Sequence, residues 1–167
     1  MLVALQKPIT MNHEFPLQTL SFHWVVYPVS VISQWLNDQD PVIDFFVFSM
    51  YFPACDDAER PIQLCAFAFN KSSGCVNANA PDVLPAYENN VLVVNGPLQL
   101  SANQVQAQPL RDLIGDGQGR FEYLVFIPNL DLSQRVYYTI YGLKRTATGM
   151  VLSDGPIDTN PSPPATA

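Results

Sequence analysis

Charge is scarce in this sequence. Of 167 residues, Asp, Glu, Lys and Arg supply 14%, where about a quarter is usual. Basic residues are scarcest: eight Lys and Arg stand against fifteen Asp and Glu, a net charge of −7. That balance argues against nucleic acid as a partner, because neutralising phosphates needs clustered Lys and Arg. Lys144-Arg145 is the one adjacent basic pair, so a polybasic membrane patch is missing as well. No apolar run reaches the ~20 residues of a spanning helix, and no membrane insertion is expected.

Histidine is nearly absent: His13 and His23 are the two. His23 has no second ligand two or four residues away and reads as a satisfied histidine rather than a metal ligand. No G-x-S-x-G, H-E-x-x-H or Walker motif appears. No catalytic residue and no cofactor is therefore expected, and the chain does not read as an enzyme. Cysteine is limited to Cys55, Cys65 and Cys75, at intervals of ten. Zinc sites use closer C-x-x-C-like pairs. Cys65 lies in the apolar run Leu64 to Phe69 and reads as a buried thiol. Cys55 and Cys75 stand in turn-like segments, and a disulfide between them is the less favoured alternative. Asp56, Asp57 and Glu59 form the most charged segment, but without the spacing, glycine and distant glutamate of a calcium loop. They read as a solvated loop, so no metal site is expected. The run Gly115-Asp116-Gly117-Gln118-Gly119 precedes a strand instead of joining strand to helix. It reads as a hairpin turn or flexible loop rather than a phosphate cradle.

In place of charge the chain carries amides. Asn and Gln number 22, against 23 charged residues. A free monomer usually keeps a charged surface of mixed sign for solubility. A surface of amides, hydroxyls and apolar atoms suits a subunit that buries much of it in an assembly. A secreted β-protein with a neutral surface is the alternative.

Strand patterning is clearest from Phe121 to Leu143. Phe121, Tyr123, Val125 and Ile127 alternate with Glu122, Leu124 and Phe126; Val136, Tyr138 and Ile140 alternate with Tyr137, Thr139 and Tyr141. Pro128 is expected to end the first of these strands. Earlier, Phe22–Tyr27 reads as a strand. Val29–Leu36 reads as a short helix or turn, with Ser30 as a candidate cap and a continued strand as the alternative. Val42–Phe52 reads as a central strand buried on both sides, with a buried helix as the alternative, and Ile62–Phe69 as the next strand. Asn70–Ala86 reads as a long loop and Val91–Val94 as a short strand. Leu98–Pro109 alternates weakly, and Leu2–Leu5 is a candidate edge strand.

Leu132, Tyr138 six residues later and Ile140 resemble the E–F corner of fibronectin type III and related immunoglobulin-like sandwiches. The segment from Gly149 to Asp154 is similar to the last turn and strand of such domains. The resemblance covers about residues 121–154. It departs where Gln134 and Arg135 replace the usual Pro-Gly. It implies a corner in which the Tyr138 hydroxyl ties down the backbone at Leu132 to Gln134.

The expected fold is all-β: an antiparallel β-sandwich, immunoglobulin-like or jelly-roll, with extended termini and at most one short helix. Residues 1–20 are expected as an arm, 21–153 as the sandwich domain and 154–167 as a Pro-rich, polyproline-like tail. Phe46, Phe48, Phe67, Phe69, Leu124, Phe126, Tyr138 and Ile140 are the expected core. The expected role is that of a structural assembly subunit. A capsid decoration, cement or tail protein of a virus or phage fits it, with protein partners in a homo-oligomer or larger particle. A fibronectin-like extracellular or cell-surface binding module is the alternative, and a small enzyme without recognisable motif comes third. Lys7, Pro8, Asn12, His13 and Glu14 interrupt the apolar start too soon for a secretory signal. Synthesis in the cytoplasm and a place in a virion are expected, with an extracellular location if the chain has been trimmed.

Overall fold

The computed structural model describes residues 19–37, 42–51, 63–79, 91–95, 102–115 and 120–161. In chain order come β1 (Thr19–His23), β2 (Val25–Pro28), α1 (Val29–Asn37), β3 (Phe45–Tyr51), β4 (Gln63–Asn70), β5 (Gly74–Asn79) and β6 (Val91–Asn95). Then follow β7 (Asn103–Gln106), α2 (Ala107–Ile114), β8 (Tyr123–Leu130), β9 (Val136–Thr146), β10 (Gly149–Leu152), β11 (Ile157–Asp158) and β12 (Asn160–Pro161). One sheet has the order β10-β9-β8-β2, with β11 also on β9; the second has the order β12-β7-β3-β4-β5; β1 and β6 form a two-stranded ribbon. These pairings are antiparallel. The sandwich matches the alternating runs, with one helix more than the sequence suggests.

Alternation fills the space between the sheets. Val25 and Tyr27 on β2, Leu124 and Phe126 on β8, and Val136, Tyr138 and Ile140 on β9 are all buried on one face. Phe46 and Phe48 on β3, Leu64 on β4 and Val105 on β7 are buried opposite them. The Phe48 ring centroid lies 4.7 Å from Phe126 and 5.8 Å from Tyr27, so the two layers interlock. The Tyr27 hydroxyl donates to the Leu64 carbonyl across the same gap. Each large side chain fully buried here contributes about 1.5–3 kcal/mol.

Phe67 and Phe69 depart from the expected core. Phe46 pairs with Ala68, and Phe48 with Ala66. Alanine therefore lies beside phenylalanine on the inner face, while Phe67 and Phe69 turn outward and are half-buried. Phe69 stacks on Phe45 there, with centroids 5.0 Å apart. Volume is the reason: two adjacent inward rows of Phe would overfill a close-packed layer, and large beside small fills it. The run Leu64 to Phe69 is apolar in both phases, so alternation alone left the phase open.

Other departures follow from local chemistry. The run Phe22–Tyr27 is split at Trp24, its first half pairing with β6 and its second with β8. Pro128 lies inside β8, paired with Tyr138. It is tolerated because β2 accompanies β8 only as far as Phe126, so Pro128 needs no donor on that side. The expected loop after Asn70 contains β5. Asn70 closes the tight turn between β4 and β5, its Oδ1 accepting from the Ser72 and Ser73 N–H groups at 2.9 and 3.0 Å. Ser30 lies within the first turn of α1 rather than ahead of it. α1 buries Ile32, Trp35 and Leu36, and Trp35 stacks over Phe46. α2 buries Ala107, Leu110, Leu113 and Ile114 at helical spacing. Pro109 sits in its first turn, where the N–H has no acceptor within the helix. Gly142 is forced by packing, since a Cβ there would come within 2.5 Å of the Phe121 ring. The expectations for Leu2–Leu5, Cys55, Asp56, Asp57 and Glu59 lie outside the described residues.

Candidate functional site

The expected polyproline-like tail is sheet as far as Pro161. β10 and β11 lie along the same side of β9, Leu152 pairing with Leu143 and Ile157 with Ile140. Between them residues 153–156 leave the sheet. Ser153 holds the exit: its N–H donates to the Gly142 carbonyl, and its hydroxyl accepts the Gly142 N–H, both at 2.8 Å. Gly155 takes φ +66° in the turn, a region open mainly to glycine. After β11 the chain crosses to the other sheet, where Asn160 pairs with Gln104 and Pro161 with Asn103. Residues 157–161 thus form a strap that joins the sheets, a strand changing sheets at a corner.

Thr159 is the hub of the strap and is 3% exposed. Its N–H donates to the Tyr138 carbonyl at 2.8 Å. Its hydroxyl accepts the Tyr138 N–H and donates to Asn103 Oδ1, each at 2.8 Å. Asn103, fully buried, also donates from Nδ2 to the Val136 carbonyl at 3.4 Å. Buried polar groups of this kind cost stability unless paired, and here the pairing spans both sheets and the strap.

Outside the strap runs an open groove of about 540 Å³, lined by Gln104, Gln106, Pro109, Arg135, Asp158, Asn160 and Pro161 among others. A second groove of about 330 Å³ continues it past Pro109 and Ile157 towards Asp112, Arg120 and Asp154. Arg135 donates from Nη1 to the Pro161 carbonyl at 3.4 Å and from Nε to Asp131 Oδ2 at 3.1 Å. Asp131 Oδ1 accepts the Ser133 and Arg135 N–H groups at 2.8 and 2.9 Å. Desolvation pushes the Asp131 carboxyl up, but the hydrogen bonds from Arg135 and Ser133, with the guanidinium charge, outweigh it and hold the carboxyl below its ordinary value. Asp158 Oδ1 accepts from the Thr139 hydroxyl at 2.7 Å. The groove offers amides, backbone and one ion-paired arginine, which suits binding. Among the described residues no group of three metal-ligating side chains converges.

The sequence-predicted corner residues separate. Tyr138 and Ile140 point into the core, while Leu132 is fully exposed at the tip of a turn. β8 and β9 pair from Tyr123–Leu143 to Leu130–Val136, so residues 131–135 turn within one sheet. Asp131 braces that turn, and the Tyr138 hydroxyl makes no bond to the backbone of Leu132 to Gln134. Burial pushes the Tyr138 phenol far above its ordinary value. Cys65 is half-buried on the outer face of β4, and desolvation raises its thiol. His23, expected to be satisfied, has a buried Nδ1 without a hydrogen-bond partner. Sequence reasoning passed over Thr159 and Asn103, whose partners lie 21 and 33 or more residues away.

The outward faces of the sheets complete the picture. Phe45, Val47, Phe67 and Phe69 lie half-buried on the outer face of the second sheet, beside Gln104 and Gln106. The outer face of the first carries a cluster of Val26, Val125 and Leu143, with Trp24, Tyr123, Ile127 and Tyr141 packed against it. Arg145 lies over the Tyr123 ring at 5.5 Å and donates to its hydroxyl at 2.8 Å. No protein-family model matches this chain, and no curated protein or solved structure matches it either.

Proposed function

We propose that this chain is a structural subunit of a larger assembly, such as a decoration, cement or tail component of a virion or phage particle. One observation carries the reading: both outward sheet faces are built from aromatic and aliphatic side chains. A sandwich needs apolar residues on its inner faces, and an antiparallel sheet exposed to water usually alternates to polar ones outside. The four-residue patch Phe45, Val47, Phe67 and Phe69 breaks that rule. The scarcity of charge works in the same direction, since little on this surface opposes close contact with a like surface. A second reading, a fibronectin-like binding module, draws on the sandwich and on the spacing of Leu132, Tyr138 and Ile140. The absent hydroxyl tie weighs against it. Sedimentation velocity of the wild type and of Val47→Lys/Phe67→Lys tests the first reading. An associated wild type and a monomeric, still β-structured variant support it. Two identical monomeric profiles overturn it.

A further inference from the structure

We propose that the strap, residues 157–161, is exchanged between copies of this chain, each copy completing the seam between β7 and β9 of another. The inference rests on the assembly reading and names the contact that would build the assembly. The seam is a slot between two sheet edges, and without the strap it would leave the Tyr138 backbone and the Asn103 amide short of partners. The strap is short, five residues that span two two-residue strands. It fills the slot through bonds centred on Thr159, and those bonds are indifferent to which copy supplies it. It is delivered by residues 153–156, of which Asp154, Gly155 and Pro156 are exposed. That segment combines a positive φ at Gly155 with a proline that has no N–H to anchor. Short hinges of this composition favour exchange. With Ser153 anchored to Gly142, residues 154–156 straightened reach about 10 Å, enough to step to a closely apposed neighbour. Reciprocal exchange closes a symmetric pair, and exchange passed on from copy to copy gives rings or filaments.

The pairing of Asn160 with Gln104 supplies the test, because directly paired antiparallel positions lie within disulfide reach. The full-length variant Gln104→Cys/Asn160→Cys is prepared in unlabelled and nitrogen-15-labelled forms. The two are mixed, unfolded and refolded together, then oxidised. Mass spectrometry of the peptides joined through positions 104 and 160 reads which chains were linked, and the native cysteines do not interfere with that readout. Exchange predicts mixed-isotope links about as often as unmixed ones in the associated fraction. Unmixed links alone in an associated protein overturn the exchange and leave the assembly reading standing. Unmixed links in a protein that stays monomeric overturn both. If the first variant fails to fold, Thr139→Cys/Asp158→Cys, a second pair in register across β9 and β11, is read in the same way.

Discussion

Replacing Thr159 with valine keeps the side chain's shape and deletes its hydroxyl. The Tyr138 N–H then loses its acceptor inside the protein, and Asn103 Oδ1 loses a donor. A buried N–H left unpaired costs about 1–3 kcal/mol, and a lost hydrogen bond about 0.5–1.5. The sum, about 1.5–4.5 kcal/mol, is large beside the roughly 5–15 kcal/mol of total stability typical of a domain. Urea unfolding followed by tryptophan fluorescence measures it, provided the slope against denaturant is unchanged. At about 2–4 °C per kcal/mol for a chain of this size, the melting midpoint should fall by roughly 3–18 °C. Thr159→Ser is the control. It retains the hydroxyl and loses one methyl group, at about 1 kcal/mol. A Thr159→Val protein within about 0.5 kcal/mol of wild type, or a serine variant as damaged as the valine one, would refute the hub described for the strap.

Phe48→Ala, at a fully buried ring, should cost about 3–5 kcal/mol in urea unfolding. Phe67→Ala, on the half-buried outer face, should cost less than half as much, and equal losses would mean that the inner and outer faces of β3 and β4 are misassigned. Tyr138→Phe should change stability by less than about 0.5 kcal/mol, because its hydroxyl has no tie to the turn; a loss of about 0.5–1.5 kcal/mol would restore the corner of the fibronectin-like resemblance. Asp131 titrates lower in the folded protein than its unfolded value of about 3.9, so its contribution is complete above that value and is lost as pH falls through the folded one. The stability gap between wild type and Asp131→Asn should be constant near neutrality and close below about pH 4, whereas a gap unchanged at pH 2.5 would contradict the carboxylate brace.

The parts of this fold that could be read from the sequence are those set by local alternation. β3, β8 and β9 announce themselves because bulky residues recur every second position, and Leu124, Phe126, Tyr138 and Ile140 fall inside as that period requires. Alternation failed where both phases are apolar, as in β4, where only the neighbouring Phe46 and Phe48 decide that the alanines go inward. α2 was not read from the sequence: Leu98–Pro109 alternates weakly and Pro109 argues against a helix interior, so the helical spacing of Ala107, Leu110, Leu113 and Ile114 was passed over. The strap was not legible. Its strands are two residues long, its prolines suggest an unpaired tail, and Thr159 matters only through partners that the sequence holds far away. Removing residues 154–167 therefore deletes two strands and the hub, and should destabilise the domain, where the composition alone suggests a dispensable tail.

The central claim is that this chain is a building block of an assembly. Light scattering coupled to size-exclusion chromatography, on the full-length chain from low to high micromolar concentration, tests it most directly. The account predicts a mass that is a multiple of the 18.6 kDa protomer. A mass of one protomer at every concentration, with no protein from its own source retained by it, would contradict the claim.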